Sequence, residues 1–154
     1  MAASAPNTIL LQVNGAERPI FEKAAVSAVV VPGDLLVVSA ASVTPHAASA
    51  GVHNKMFALE NPYAEDPTTP AIDQHWDVGD FVRYIYAQPG DLVYARLATS
   101  QVAAVGSALV ASGTAGLLAV ATVDGNTLEG ALVGYCEEAV TTTGAILRIK
   151  VRIA

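Results

Sequence analysis

The densest group of residues that could do chemistry lies in an acidic segment. Residues 60–80 hold six carboxylates and no lysine or arginine. Four side chains of this segment could ligate a metal ion: Asp73, His75, Asp77 and Asp80. Oxygen-rich sets suit Ca²⁺, but the EF-hand spacing of acidic residues and glycine is absent. The same carboxylates could serve a hydrolase, although no other sequence feature supports one. We therefore expect no bound metal and an acidic loop that is solvated or faces a partner.

Other reactive side chains lack the neighbours that catalysis needs. Cys136 stands in Gly-Tyr-Cys-Glu-Glu, and acidic neighbours raise a thiol pKa, so we expect a small buried group. The three histidines have no second histidine three or four residues away. The chain has no nucleophile elbow, phosphate loop or dinucleotide fingerprint. The sequence thus predicts neither an enzyme nor a cofactor.

Aromatic residues follow the acidic segment. They are Trp76, Tyr84, Tyr86 and Tyr94. Such rings could stack against a sugar, but on alternating strands they more often anchor a core or a subunit interface. A glycan-binding β domain on a virion or cell surface is therefore the alternative function.

The C-terminal segment alternates apolar residues with cations. The cations are Arg148, Lys150 and Arg152. Period-two alternation predicts a strand with one apolar and one basic face. The basic face either pairs with acids on a neighbouring strand or docks onto an acidic partner surface. The candidate acids are Glu129, Glu137 and Glu138.

The composition limits the partners. The chain has 154 residues, 53% hydrophobic and 14% charged, with a net charge of −6. A negative protein gains little from phosphate counterion release, which argues against a nucleic-acid binder. A weakly charged, apolar-rich surface is typical of a protein that contacts another protein. The uncharged run 97–123 is interrupted by glycine and polar residues, so we expect no membrane span.

A turn followed by an apolar run recurs along the chain, which predicts an all-β fold of short strands. The resulting strands are Leu35–Val38, Phe81–Tyr86, Leu92–Leu97 and Ala108–Ala111, with a final strand Leu147–Ile153. Further candidates are Ile9–Val13, Ala25–Val31, Met56–Leu59, Leu117–Val123 and Ala131–Ala139. Because the spacings differ, there is no long-period sequence repeat. We expect an N-terminal arm over 1–24 and one compact barrel or sandwich over 25–154, with a long irregular loop near 60–80.

Residues 76–113 resemble the cement, or decoration, proteins of tailed-bacteriophage capsids. The shared pattern is an aromatic residue before Gly79-Asp80, then Gly90-Asp91-Leu92-Val93-Tyr94-Ala95-Arg96-Leu97, then Gln101-Val102. The chain departs from the pattern at Gly106-Ser107, where the family has Gly-Asp, and at Gly113-Thr114-Ala115-Gly116. The resemblance is close over 76–113 and loose over 26–154.

This resemblance implies a small tulip-like β domain that forms homotrimers on the outer capsid surface and clamps major capsid protein subunits. It implies no catalysis and no cofactor, and the charge and the interrupted uncharged run predict neither a nucleic-acid nor a membrane partner. For the trimer interface we predict Phe81, Tyr84, Tyr86 and Tyr94. For the capsid contact we predict the arm residues Ile9, Leu10, Leu11 and Val13, together with Trp76, Arg148, Lys150 and Arg152.

Overall fold

A computed structural model describes residues 5–63, 66–124 and 127–154. Residues 1–4 of the predicted arm and Glu65 of the acidic segment lie outside this description. The prediction of an all-β protein is confirmed. The strands are β1 (Leu10–Gln12), β2 (Phe21–Ala25), β3 (Leu35–Val38), β4 (Ser42–Pro45), β5 (Met56–Ala58), β6 (Phe81–Tyr86), β7 (Leu92–Leu97), β8 (Gln101–Ala103), β9 (Ala108–Ala111), β10 (Leu118–Val120), β11 (Val123–Asp124), β12 (Thr127–Leu128), β13 (Leu132–Cys136), β14 (Val140–Thr142) and β15 (Leu147–Ile153), with a 3₁₀ turn at Ala71–Asp73.

The first half of the chain forms a closed five-stranded barrel. Its strand order is β2-β4-β3-β5-β6, and β6 pairs back onto β2. The β2–β4 pair is parallel and the other four pairs are antiparallel. One hydrophobic cluster fills this barrel: Ala25, Val30, Leu36, Val43, Met56, Ala58, Trp76, Val82 and Tyr84.

The second half forms another ring of five strands. The order is β7-β10-β9-β13-β15, and the sheet closes because β15 also pairs with β7. The β7–β10 pair is parallel and the others are antiparallel. β1 pairs with the start of β7, whereas β10 pairs with its end. Strands β8 and β14 form a separate two-stranded sheet.

The two barrels have the same topology and the same register. Strands β2 to β6 correspond in order to β7, β9, β10, β13 and β15. Every type of cross-strand pair in the first barrel has its counterpart in the second: Phe21↔Tyr84 with Val93↔Val151, Ala25↔Val43 with Leu97↔Leu118, Val38↔Val43 with Ala111↔Leu118, Leu36↔Met56 with Leu109↔Gly134, and Met56↔Tyr86 with Gly134↔Ile153. Because the connecting loops differ in length, the spacing between counterparts varies from strand to strand. The repeat is structural, and no fixed period marks it in the sequence.

Outward residues of the first barrel join it to the second. Neighbouring residues on a strand face opposite sides, and Leu35 and Leu36 at the start of β3 are both fully buried. Leu36 faces the first barrel's interior, whereas Leu35, Phe57 and Ile85 lie in the cluster that fills the second barrel. The two barrels therefore share apolar packing.

Four turns of one design open strands in both barrels. They are Val31–Asp34, Asp77–Asp80, Gln88–Asp91 and Ala104–Ser107. In each, the fourth N–H donates to the first carbonyl at 2.9–3.0 Å, and the fourth side chain accepts the first N–H at 2.8–2.9 Å. The third residue is glycine with φ between +87° and +99°, as a type II turn requires. Ser107 thus makes the turn bond that aspartate makes elsewhere, so its departure from the family pattern leaves the turn intact.

The predicted strands after these turns, and the C-terminal strand, have the predicted bounds. The candidate Ala25–Val31 is wrong: the strand is Phe21–Ala25, and Val30 forms only an isolated bridge with Trp76. Ser27 has a φ of +61°, which ends the extended backbone there. The predicted boundary after residue 24 falls inside β2, so the first barrel starts at Phe21. Strands β4, β8, β12 and β14 were not predicted, and β11 shares only Val123 with the predicted strand Leu117–Val123.

Candidate interaction surface

Two of the turn aspartates are buried and bind arginines. Arg96 donates through NH1 to Asp34 Oδ1 at 2.5 Å, which ties the first barrel to β7. Arg18 donates to both carboxylate oxygens of Asp91, at 2.7 and 2.9 Å. Asn14 N–H donates to the same carboxylate at 2.8 Å. Both carboxylates are therefore bonded within their own chain on each of their two oxygens.

The pKa values of the two carboxyl groups are shifted in opposite directions. Burial raises the pKa of Asp34, and the nearby Arg96 only partly offsets it. Burial also raises the pKa of Asp91, but the bonds from Arg18 and two backbone N–H groups outweigh it and hold that pKa below its usual value.

The basic face of β15 is largely occupied by its own chain. Arg152 Nε donates to Glu137 at 2.8 Å, which confirms cross-strand pairing as one of the two interpretations. Arg148 donates to Asp73 Oδ1 at 2.7 Å and to the Pro32 carbonyl at 3.0 Å. Arg148 therefore anchors the acidic segment, and docking of this face onto a partner stays a prediction.

The acidic segment does not assemble the four predicted ligands. Asp73 is bound by Arg148, whereas His75 Nε2 lies 3.1 Å from Asp77 Oδ1. Asp80 Oδ2 accepts the N–H of Asp77 at 2.8 Å as part of its turn. Across residues 5–63, 66–124 and 127–154, no three His, Cys, Asp or Glu side chains form a group that could hold a metal ion.

This segment instead lines two adjoining surface grooves. They share Asn61, Tyr63 and Asp80, and their volumes are about 270 and 330 Å³. Exposed Tyr63 lines both grooves and exposed Phe81 lines one of them, beside the carboxylate of Asp80.

The predicted aromatic contacts separate into exposed and buried rings. Phe81 is 66% exposed and Tyr86 is 37% exposed, so both can meet another subunit. Tyr84 is only 2% exposed and packs inside the first barrel, so its predicted trimer contact is corrected to a core role. Tyr94 is partly buried against the second barrel.

Trp76 is also a core residue. It is 2% exposed, and its Nε1–H donates to the Leu59 carbonyl at 3.1 Å. Its predicted capsid contact is therefore withdrawn. Because Trp76 and Tyr84 lie inside the barrel, neither ring is placed to stack against a sugar.

The arm residues that are described lie on their own chain. Leu10 and Gln12 pair with β7. Ile9 is fully buried, and its N–H donates to Glu60 at 3.1 Å. The predicted capsid contact of Ile9 is thus corrected to packing, whereas Leu10, Leu11 and Val13 keep partial exposure. The candidate strand Ile9–Val13 is thus present as the shorter β1, which pairs within its own chain.

Sequence reasoning missed an aromatic cluster at the open end of the first barrel. Phe21 stacks on Tyr84 with ring centroids 5.8 Å apart and meets Tyr86 edge-on at 5.4 Å. Phe21 is 41% exposed and the preceding Ile20 is 49% exposed. The sequence signal for this strand was the alternation of Phe21 and Ala25 with polar residues. It is too short to indicate a strand, because the charged Lys23 lies between them.

Cys136 is buried as expected. Its thiol donates to the Glu138 carbonyl at 2.8 Å, and burial raises its pKa.

The sequence matches no protein-family model and no curated protein. Within the part of the chain that the structure describes, we find no helix both long and apolar enough to cross a membrane.

Proposed function

We propose that this chain is a non-enzymatic structural protein of the virion. In this proposal a homotrimer binds the outer surface of an icosahedral phage capsid and stabilises contacts between major capsid protein subunits. The resemblance of residues 76–113 to cement proteins motivates the proposal. The observation that carries it is the set of large apolar side chains left exposed on a weakly charged protein, with Tyr63 and Phe81 at 72% and 66%.

Trimerisation and shell binding would remove these side chains from water. Each trimer would present three equivalent footprints, and once one is bound the others bind intramolecularly. A ligand that binds only the assembled shell stabilises that shell. The groove of Tyr63 and Phe81 is the surface we assign to such a contact, because it combines apolar rings with carboxylates that complement a basic partner.

Light scattering over a dilution series and co-sedimentation with undecorated tailed-phage capsids test this function. We expect a mass of three times 15.8 kDa and saturable pelleting with shells. Phe81→Glu should weaken assembly or pelleting, since it places a charge on an exposed ring position. Val52→Glu is the matched control, because Val52 is 88% exposed elsewhere on the first half of the chain. A monomer that does not pellet with shells would refute the proposal.

A further inference from the structure

Within residues 5–63, 66–124 and 127–154, the second barrel carries an added strand that has no counterpart on the first. β1 lies along the start of β7, with Leu10 opposite Val93. Tyr94 N–H donates to the Ile9 carbonyl at 2.7 Å. Ile9 and Val93 are both fully buried. An added strand therefore completes this edge of the second barrel.

The equivalent edge of the first barrel is at the start of β2. The shared register makes Phe21 the counterpart of Val93, and Glu22 the counterpart of Tyr94. The direction of the N–H groups also agrees between the two strands. Val26 N–H donates to Val43 O at 3.2 Å, and its counterpart Ala98 N–H donates to Leu118 O at 2.9 Å. The Glu22 N–H thus points away from β6. Among the described residues, no strand pairs with Phe21 or Glu22 on that side.

Side-chain exposure differs between the two edges in the way a missing strand would produce. Phe21 is 41% exposed, whereas its counterpart Val93 is fully buried. Tyr86 is 37% exposed, whereas its counterpart Ile153 is 2% exposed. An open strand edge offers unpaired backbone groups for hydrogen bonds, and aromatic rings beside it offer apolar contact area.

We propose that the outer edge of β2 at Ile20–Glu22 accepts an extended apolar segment of a different protein as an added strand. The segment's backbone would pair with Glu22, and an apolar side chain opposite Phe21 would cover Phe21 and Tyr86, in the position that Leu10 has opposite Val93. A second copy of this chain is not the expected donor, because its own apolar strand Leu10–Gln12 is already paired with β7. This inference goes beyond the proposed function and needs neither a shell nor a trimer.

A peptide with the sequence of residues 7–14, Asn-Thr-Ile-Leu-Leu-Gln-Val-Asn, tests the site on the full chain labelled with ¹⁵N. It carries the strand that fills the equivalent edge. We expect saturable amide shifts confined to β2 and Tyr86, with a dissociation constant of about 1 mM or tighter. A peptide with Leu10→Asp should bind at least about tenfold more weakly, because it loses the apolar side chain that would lie opposite Phe21.

Two chain variants locate the site. Phe21→Glu should abolish the shifts, and Val52→Glu should leave them unchanged. The proposal is overturned if no saturable shift occurs, or if the shifts fall on Leu92–Leu97, which would mean exchange with β1. Shifts of the β2 edge that depend on protein concentration without peptide would identify a second copy as the occupant and also overturn it. All these results come without capsids, so they are independent of the proposed function.

Discussion

Replacing Asp91 with alanine should destabilise the protein far more than replacing Asp80, although both close the same kind of turn. Asp80 accepts one bond, from the Asp77 N–H, at an exposed site. Asp91 accepts that turn bond and in addition two from Arg18 and one from Asn14, and its side chain is fully buried.

The magnitudes follow from what each variant leaves behind. Breaking a buried ion pair by removing one partner costs about 3–5 kcal/mol. Losing one exposed turn bond costs about 0.5–1.5 kcal/mol. Asp91→Ala should therefore lower Tm by roughly 10 °C and Asp80→Ala by roughly 2 °C, at about 2–4 °C per kcal/mol for a chain of this size.

Circular dichroism melts and urea titrations of both variants measure the difference. Hydrogen exchange should also show faster exchange at Asn14 in Asp91→Ala, because the carboxylate holds that N–H. If the two variants lose stability to within about 1 kcal/mol of each other, the Arg18–Asp91 pair does not stabilise the fold as argued.

Two further predictions concern the barrels. Gly134→Ala should strongly destabilise the protein, because a Cβ there would collide with the backbone of β15. Gly144→Ala should change the stability little, because a Cβ there meets open space. The urea midpoints of the two variants test this difference. His53 has a pKa lowered below its ordinary 6.5, mainly by burial, so the unfolded chain binds more protons and stability should fall as pH drops below that value. The urea midpoint should decline from pH 7.5 to 5.5 in the native chain and less in His53→Gln; equal declines would show that another group is responsible.

Local turn chemistry made much of the fold predictable. A glycine that needs positive φ, followed by a side chain that closes the turn, marks where a strand begins, and this is why Leu35–Val38 and Leu92–Leu97 have their predicted bounds. Strict alternation did the same for Leu147–Ile153. Strand β2 was misplaced because its position depends on pairing with β6, and the apolar residues after it look more strand-like than its own Glu22 and Lys23.

The candidate surface was less predictable, because exposure is set by distant partners. Trp76, Tyr84 and Ile9 have types that suit either a core or an interface, and only the closed barrels place them inside. The duplication was hidden for a similar reason. Equivalent strands share pairing partners and register, which are long-range properties, while their loops and side chains differ.

The paired barrels also supply their own reporters. The single tryptophan, Trp76, lies in the core of the first barrel, and the single cysteine, Cys136, lies buried in the second. Fluorescence and thiol labelling on one unmodified sample would thus follow the two halves separately. Coincident transitions would mean that the shared apolar packing makes the halves one cooperative unit. Separate transitions would mean that each barrel is stable by itself and that the two barrels unfold independently.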